Sequence, residues 1–328
     1  MCSLHHPWKN LSPYSWPTRF KPLQTLGIIL LTAAVSLPCS AQFGGSAPAK
    51  TAGDSSAEQR EPAGGEKKES VLGEPEQDEG WLSREELRER VEKTLSPPKD
   101  CRALHPKNRI WIERNDQVVI TDGYIAQQAA QLEMFACPTG TKEHESIVAV
   151  FPRSQLVHAG LLAIGAKPGS PASFEPFRPA KGATIRIYAL WYDSKGKRQA
   201  TIAQKWVRNS RTKDNLKSDW VFAGSRQYFD EYSKETQYLA DSGELVCVAN
   251  FSTSTLDLVV ESEQANASLV FDAFTERIPR RNTPVRLVFH LSPENPHASS
   301  KENEKETPAF LTDPVPDFIL KYLEEKKP

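Results

Sequence analysis

Cysteine is scarce in this chain, with five among 328 residues, and methionine scarcer still, with two. Cys2 and Cys39 fall before Gln42, which leaves Cys101, Cys137 and Cys247 for the rest. Three scattered thiols are too few for a disulfide framework. They also cannot supply the four ligands of an iron–sulfur cluster within one chain. No two of the Cys and His residues here form the short CxxC or HxxxH pairs that preorganise a tetrahedral metal site. Cys101 and His105 come nearest, but Pro106 follows and no second pair completes them. A charge excess is missing too. Lys and Arg total 41 against 42 Asp and Glu, a net charge of −1, which removes the electrostatic case for a nucleic-acid partner. The apolar run from Leu26 to Val35 falls well short of the roughly 20 residues of a membrane-spanning helix. There is no internal repeat and no Gly-rich phosphate loop.

What is present begins with a leader. Lys9, Arg19 and Lys21 give a positive region, Leu26 to Val35 an apolar one, and Cys39-Ser40-Ala41 the small residues before a cut at Gln42. Residues 1–41 therefore read as a secretory signal, and the protein as exported, periplasmic or secreted. Pro38 stands where lipidation of Cys39 would want a small residue. A lipidated or uncleaved leader would be the one route to a membrane. Residues 42–80, rich in Ala, Gly, Ser, Glu, Lys and Pro, bury too little to order and read as a disordered linker.

A short amphipathic helix is expected over 81–98. Ser83 and Glu86 form a capping box, Leu82 and Leu87 a hydrophobic staple, and Leu87, Val91 and Leu95 a narrow apolar stripe. Pro97 and Pro98 end it. Residues 101–291 carry the main domain, and 292–328 a polar linker with a short amphipathic tail around Phe318, Ile319, Tyr322 and Leu323.

The domain is organised around Gln131 to Gly165. Leu132, Met134 and Ala136 alternate with Glu133, Phe135 and Cys137 in a strand that ends at Cys137. Pro138 and Gly140 turn the chain, and Lys142-Glu143-His144-Glu145 reads as a solvated turn. Ile147 to Val150 is a buried strand. Leu156, Val157, Gly160, Leu161 and Ile164 then lie on one helix face, with Leu162 off it, so the helix is expected to be buried on two sides. Gly165 follows as its C-terminal cap. Before this stretch, Ile110, Ile112, Val118 and Ile120 are expected on one face of a hairpin. After it, Ile185, Ile187, Ala189 and Trp191 alternate, with Ile202 and Trp206 returning. The fold class is α+β: a mostly antiparallel sheet with one principal apolar helix, flanked by disordered linkers.

Several segments are similar to the bacterial YdjY-domain family of exported proteins. These are EMFACPTGTKEHESIVAV with LVHAGLLAIGAKPG, the WVFAGS of Trp220 to Ser225, LVCVANFSTSTLDL at 245–258 and FTERIPRRNTPVRLVF at 274–289. The resemblance covers about Cys101 to Leu291 and implies export without implying an activity. A ferredoxin-type label attached to the family finds no four cysteines here.

Candidate sites follow from side-chain chemistry. Cys137 with His144 is the catalytic pair, a thiol and a base across one turn. Cys137, His144 and Cys247 are the metal or redox trio, and Cys137–Cys247 a conceivable disulfide in an exported protein. Against this, Cys247 alternates with Leu245 and Ala249 like a core residue. Glu143, His144, Glu145, Trp206, Arg208 and Trp220 are candidates for ligand binding, the aromatics as lining of a groove. Taken together the residues favour a non-enzymatic binding or assembly module without a cofactor, its partner a protein or cell-envelope component. The alternative is a thiol- or metal-dependent protein centred on Cys137, His144 and Cys247.

Overall fold

A computed structural model describes residues 82–262, 269–297 and 306–325. The expected leader and linker at 1–80, and residues 298–305 of the second linker, lie outside the described residues. Eight strands form the body: β1 (Val118–Ile125), β2 (Met134–Pro138), β3 (Ser146–Val150), β4 (Thr184–Tyr192), β5 (Trp220–Phe222), β6 (Val246–Cys247), β7 (Leu256–Leu258) and β8 (Pro284–Leu291). Their order is β1-β8-β4-β5-β7-β6-β2-β3, and β3 pairs back with β1, so the sheet closes into a barrel. The β2–β3 and β6–β7 pairings are parallel and the other six antiparallel. Four α-helices accompany it among the described residues: α1 (Arg84–Thr94), α2 (Ser154–Ala163), α3 (Ala309–Thr312) and α4 (Asp317–Leu320). The chain is thus β-rich with a few short helices. The expected single principal helix has a companion of similar length in α1.

Closure depends on how β1 uses one edge. Residues 118–121 pair with the strand Ile110–Glu113, and residues 123–125 pair with β3 along the same edge. Asp122 is the changeover: its N–H donates to the Arg109 carbonyl and its carbonyl accepts from the Phe151 N–H. Gly123 comes next, and it has no Cβ to collide with the β3 backbone at Ala149 and Val150.

Both faces of the barrel wall are apolar. Val119, Ala136, Val148, Ile187, Val246 and Leu287 belong to the inner cluster, and α2 joins it by laying Gly160 against Val119. Val118, Ile120, Tyr124, Cys137 and Val288 face out and are covered by Leu87, Val91 and Leu95 from the α1 segment and by Phe310, Ile319 and Tyr322 of the tail. This corrects the expected hairpin face. Ile120 stands opposite Trp111 and turns outward, while Val119 stands opposite Ile112 and turns in. Ile202, opposite Tyr188, also turns outward. Alternation fails as a guide wherever each side of a strand is covered. Leu162 is 48% exposed, so α2 is not buried on two sides.

The extensions are fixed by local signals. Ser83 Oγ accepts from the Glu86 N–H at 3.2 Å while the Glu86 carboxylate accepts from the Ser83 N–H at 2.8 Å, the reciprocal pair that starts α1. Arg286 of β8 is 1% exposed. It donates to the Asp122 carboxylate at 2.6 and 3.0 Å, to the Ser96 carbonyl at 2.7 Å and to the Tyr322 carbonyl. One buried guanidinium therefore ties the chain after α1 and the chain after α4 to the branch residue of β1.

Candidate functional site

Parallel neighbours usually need a crossover of roughly a dozen residues or more. Here residues 139–145 join β2 to β3, and residues 248–255 join β6 to β7. Each loop has to double back along its own strand and so lies against the barrel wall. Because β2 and β6 are neighbours, the two loops come together, and they meet at Lys142. Its Nζ is 3.1 Å from Glu133, 3.3 Å from Glu244 and 3.4 Å from Glu145, and 4.4 Å from the centre of the Phe251 ring. Gly243, at φ 144°, makes room for the lysine stem: a Cβ there would stand 2.6 Å from Lys142 Cγ.

Three carboxylates around one ammonium make the hub acidic. Burial works against the Lys142 charge, but the Glu133 hydrogen bond and the surrounding carboxylates outweigh it and hold its pKa above the ordinary lysine value. Burial and the Glu133 charge push the Glu145 carboxyl up, against the pull of Lys142, so Glu145 holds a proton more readily than an ordinary carboxyl. His144, with a side chain 75% exposed, reaches Glu145 only at 3.8 Å. Glu143 serves the turn itself, accepting from the Gly140 N–H at 2.5 Å and the Tyr124 hydroxyl at 3.1 Å.

Behind the hub lies a further carboxylate. Asp257 is fully buried and accepts from Asn250 Nδ2 (3.0 Å), Ser254 Oγ (2.9 Å), and the N–H groups of Leu258 (2.8 Å) and Phe251 (3.3 Å). Burial pushes its carboxyl up to about 7, although all four donors pull the other way. A folded-state value above the ordinary 3.8 stabilises the fold most when both states are protonated. That contribution is complete below about pH 4 and is lost as the pH rises through about 7. Urea titrations of the parent and Asp257→Asn should therefore show a stability difference that shifts in favour of the variant across this window. The slope should be up to about 1.4 kcal/mol per pH unit. A difference that stays flat across the whole window would contradict this assignment.

The cysteine trio does not assemble. Cys137 and Cys247 are both free and both buried. Cys247 pairs with Met134, three positions along β2 from Cys137, so strand rise alone separates them by about 10 Å. That exceeds the Cα spacing a disulfide tolerates, which rules out the conceivable bridge in this fold. Burial pushes the Cys137 thiol up to about 11, with the Ser146 and Thr141 hydroxyls opposing it, and holds Cys247 well above the ordinary thiol range. Among the described residues no three of His, Cys, Asp or Glu are placed to hold a metal ion. Trp206 and Trp220 do not line a surface groove either. Both pack on Phe135 inside the barrel, and Trp220 Nε1 donates to the Cys247 carbonyl at 2.7 Å. Arg208 is engaged by Asp272, Glu276 and the Phe274 ring.

A family model described as the YdjY domain matches residues 110–290, more than half of the chain. The chain belongs to the YdjY-domain family. No curated protein and no solved structure matches it. The matched stretch runs from the strand before β1 nearly to the end of β8, so the YdjY domain comprises the barrel and both doubled-back loops. It leaves out α1 and the tail.

On its other flank the 139–145 loop of the YdjY domain faces α1. Between them runs a groove of about 530 Å³ lined by Arg84, Arg88, Arg153, Asp241, Phe151 and the Pro138–Thr141 turn, among others. Arg84 lies against Gly140, which at φ 81° presents no side chain to it. Arg88 stacks over Phe151 at 4.9 Å.

Sequence reasoning alone does not find Glu133, Lys142, Glu244 or Asp257. A faint signal exists: Glu133-Met-Phe-Ala-Cys137 and Glu244-Leu-Val-Cys247 both place an acid just ahead of a buried strand that contains a cysteine. An acid in that position suggests a fixed partner. Lys142 is that partner, and the turn expected to be solvated carries a half-buried ion cluster.

Proposed function

We propose that this protein is an exported binding or assembly module that recognises a protein or cell-envelope component through the Thr139–Glu145 loop of its YdjY domain. The observation that carries the reading is how this loop is held. It is pinned to a closed barrel by the Lys142 hub and by Glu143, which fixes its shape before any partner arrives. The His144 side chain faces solvent from it. The competing redox reading needs reachable thiolates. Cys137 and Cys247 are buried, with thiol pKa values raised by that burial, which works against it. Export follows from the leader pattern and is part of the proposal.

Site-specific photo-cross-linking tests the recognition surface. A benzophenone side chain at His144 should capture a discrete envelope component in cells, whereas one at Lys195, in the turn that follows β4, should not. Equal capture from both positions would count against the loop. Anaerobic purification with iron and sulfide analysis tests the competitor. Stoichiometric iron with a visible absorbance band that disappears in Cys137→Ser would replace the binding reading with the redox one.

A further inference from the structure

The groove between α1 and the 139–145 loop has the composition of a ligand site. Three guanidiniums line it: Arg84 and Arg88, one helical turn apart on α1, and Arg153 at the start of α2. Two carboxylates oppose them, Glu85 and Asp241. Asp241 is already engaged, by the Gln155 N–H at 2.9 Å at the head of α2 and by the neighbouring Arg153 charge, a guanidinium that a ligand would therefore share with it. Arg88 is engaged too, by Glu92 at 3.7 Å and by the Phe151 ring. Among the described residues no carboxylate forms an ion pair with Arg84. Phe151 and Pro138 give the groove an apolar part. Guanidiniums present paired donors that match carboxylate and phosphate oxygens. An apolar wall beside a few convergent polar groups is the usual make-up of a small-molecule pocket, and the volume, about 530 Å³, suits one.

We propose that this groove binds a small organic anion, a carboxylate or phosphate ester carrying an apolar body. Arg84 and Arg153 hold the oxyanion, and Pro138 and Phe151 take the body. This rests on the reading of the loop as a recognition surface and names a ligand class for one flank of it. Arg84 and Arg88 come from α1, outside the matched residues 110–290, so the YdjY barrel does not complete the site by itself. The anion site depends on this chain's own extension. Gly140 is a positioning residue for Arg84, because a Cβ there would overlap the guanidinium.

Calorimetric titration of the purified full-length protein with phenyl phosphate, benzoate and inorganic phosphate tests the site. Phenyl phosphate should bind saturably and more tightly than inorganic phosphate, which lacks an apolar body. Binding should weaken by roughly tenfold or more in Arg84→Glu/Arg153→Glu, the loss of charge-assisted contacts worth about 1.4 kcal/mol or more. It should persist in Lys195→Glu/Arg211→Glu, which makes the same charge change elsewhere. Gly140→Ala keeps every charge and should still weaken binding, with a thermal melt to establish that the variant is folded. Absence of saturable binding by both organic anions overturns the proposal, as does an equal loss in the two charge-reversed pairs. Benzoate binding without phenyl phosphate binding, or the reverse, supports an anion site and fixes its head group. Cross-linking from His144 is independent of these titrations. A groove that stays empty while His144 still captures its component sinks the anion site alone, and failed capture sinks the broader reading.

Discussion

Arg286→Met should destabilise the protein by about 3–5 kcal/mol, seen as a lower urea midpoint at little changed slope. The side chain is 1% exposed and its main partner, Asp122, is fully buried. Methionine matches the aliphatic stem but leaves the Asp122 carboxylate to Arg109, at 2.5 Å. Removing one partner from a buried ionic network costs far more than the intact network contributes. The substitution also strands the carbonyls of Ser96 and Tyr322, through which Arg286 holds both extensions. Trypsin should therefore reach α1 and the tail sooner in the variant than in the parent. Asp122→Asn combined with Arg286→Met should cost less than the two single changes added together, because the pair acts as one unit. A loss below about 1 kcal/mol for Arg286→Met would place it among ordinary surface changes and refute the buried clamp.

How much of this is legible in the sequence depends on the range of the signal. Local signals suffice for some elements. Ser83 and Glu86 announce the start of α1, Gly165 the end of α2, and the alternation of Ile185, Ile187 and Ala189 the inner face of β4. The family segments identify the domain. Long-range closure leaves no such mark. Nothing in Val118-Val119-Ile120 says that both sides of β1 are covered, because part of the cover, Ile319 and Tyr322, comes from the far end of the chain. The hub is hidden for a related reason. Lys142 and Glu145 are spaced like any polar turn, and only the short parallel crossover forces them back onto Glu133 and Glu244. The cysteines attract attention by their rarity, yet their partners in space are hydroxyls, carboxylates and core residues, which no spacing rule would reveal.

Gly123→Ala should cost about 3 kcal/mol or more, at the upper end of what overpacking does. The reason is geometric and specific to the seam. Gly123 pairs with Val285 of β8 on one edge and with Val150 of β3 on the other. A Cβ at this position would come within 2.9 Å of the Ala149 carbonyl carbon and the Val150 Cα, and closer still to the Ala149 oxygen. These are backbone atoms of a paired strand and cannot rotate away as a side chain can. Relief requires β3 to move off β1, which opens the barrel where it closes. Gly165→Ala is the matched control. Gly165 has φ 91° but no atom within 4 Å of an added Cβ, so its cost is backbone strain alone, about 1–2 kcal/mol. Amide hydrogen exchange separates the two effects. In Gly123→Ala, protection should fall at Ala126 and Phe151, whose N–H groups cross the β1–β3 seam to the Ile147 and Asp122 carbonyls, while the β4–β8 pairing keeps its protection. In Gly165→Ala the two seam amides should keep their relative protection. Equal costs for the two substitutions, with no selective loss of protection along β1 and β3, would mean that the barrel does not close at Gly123.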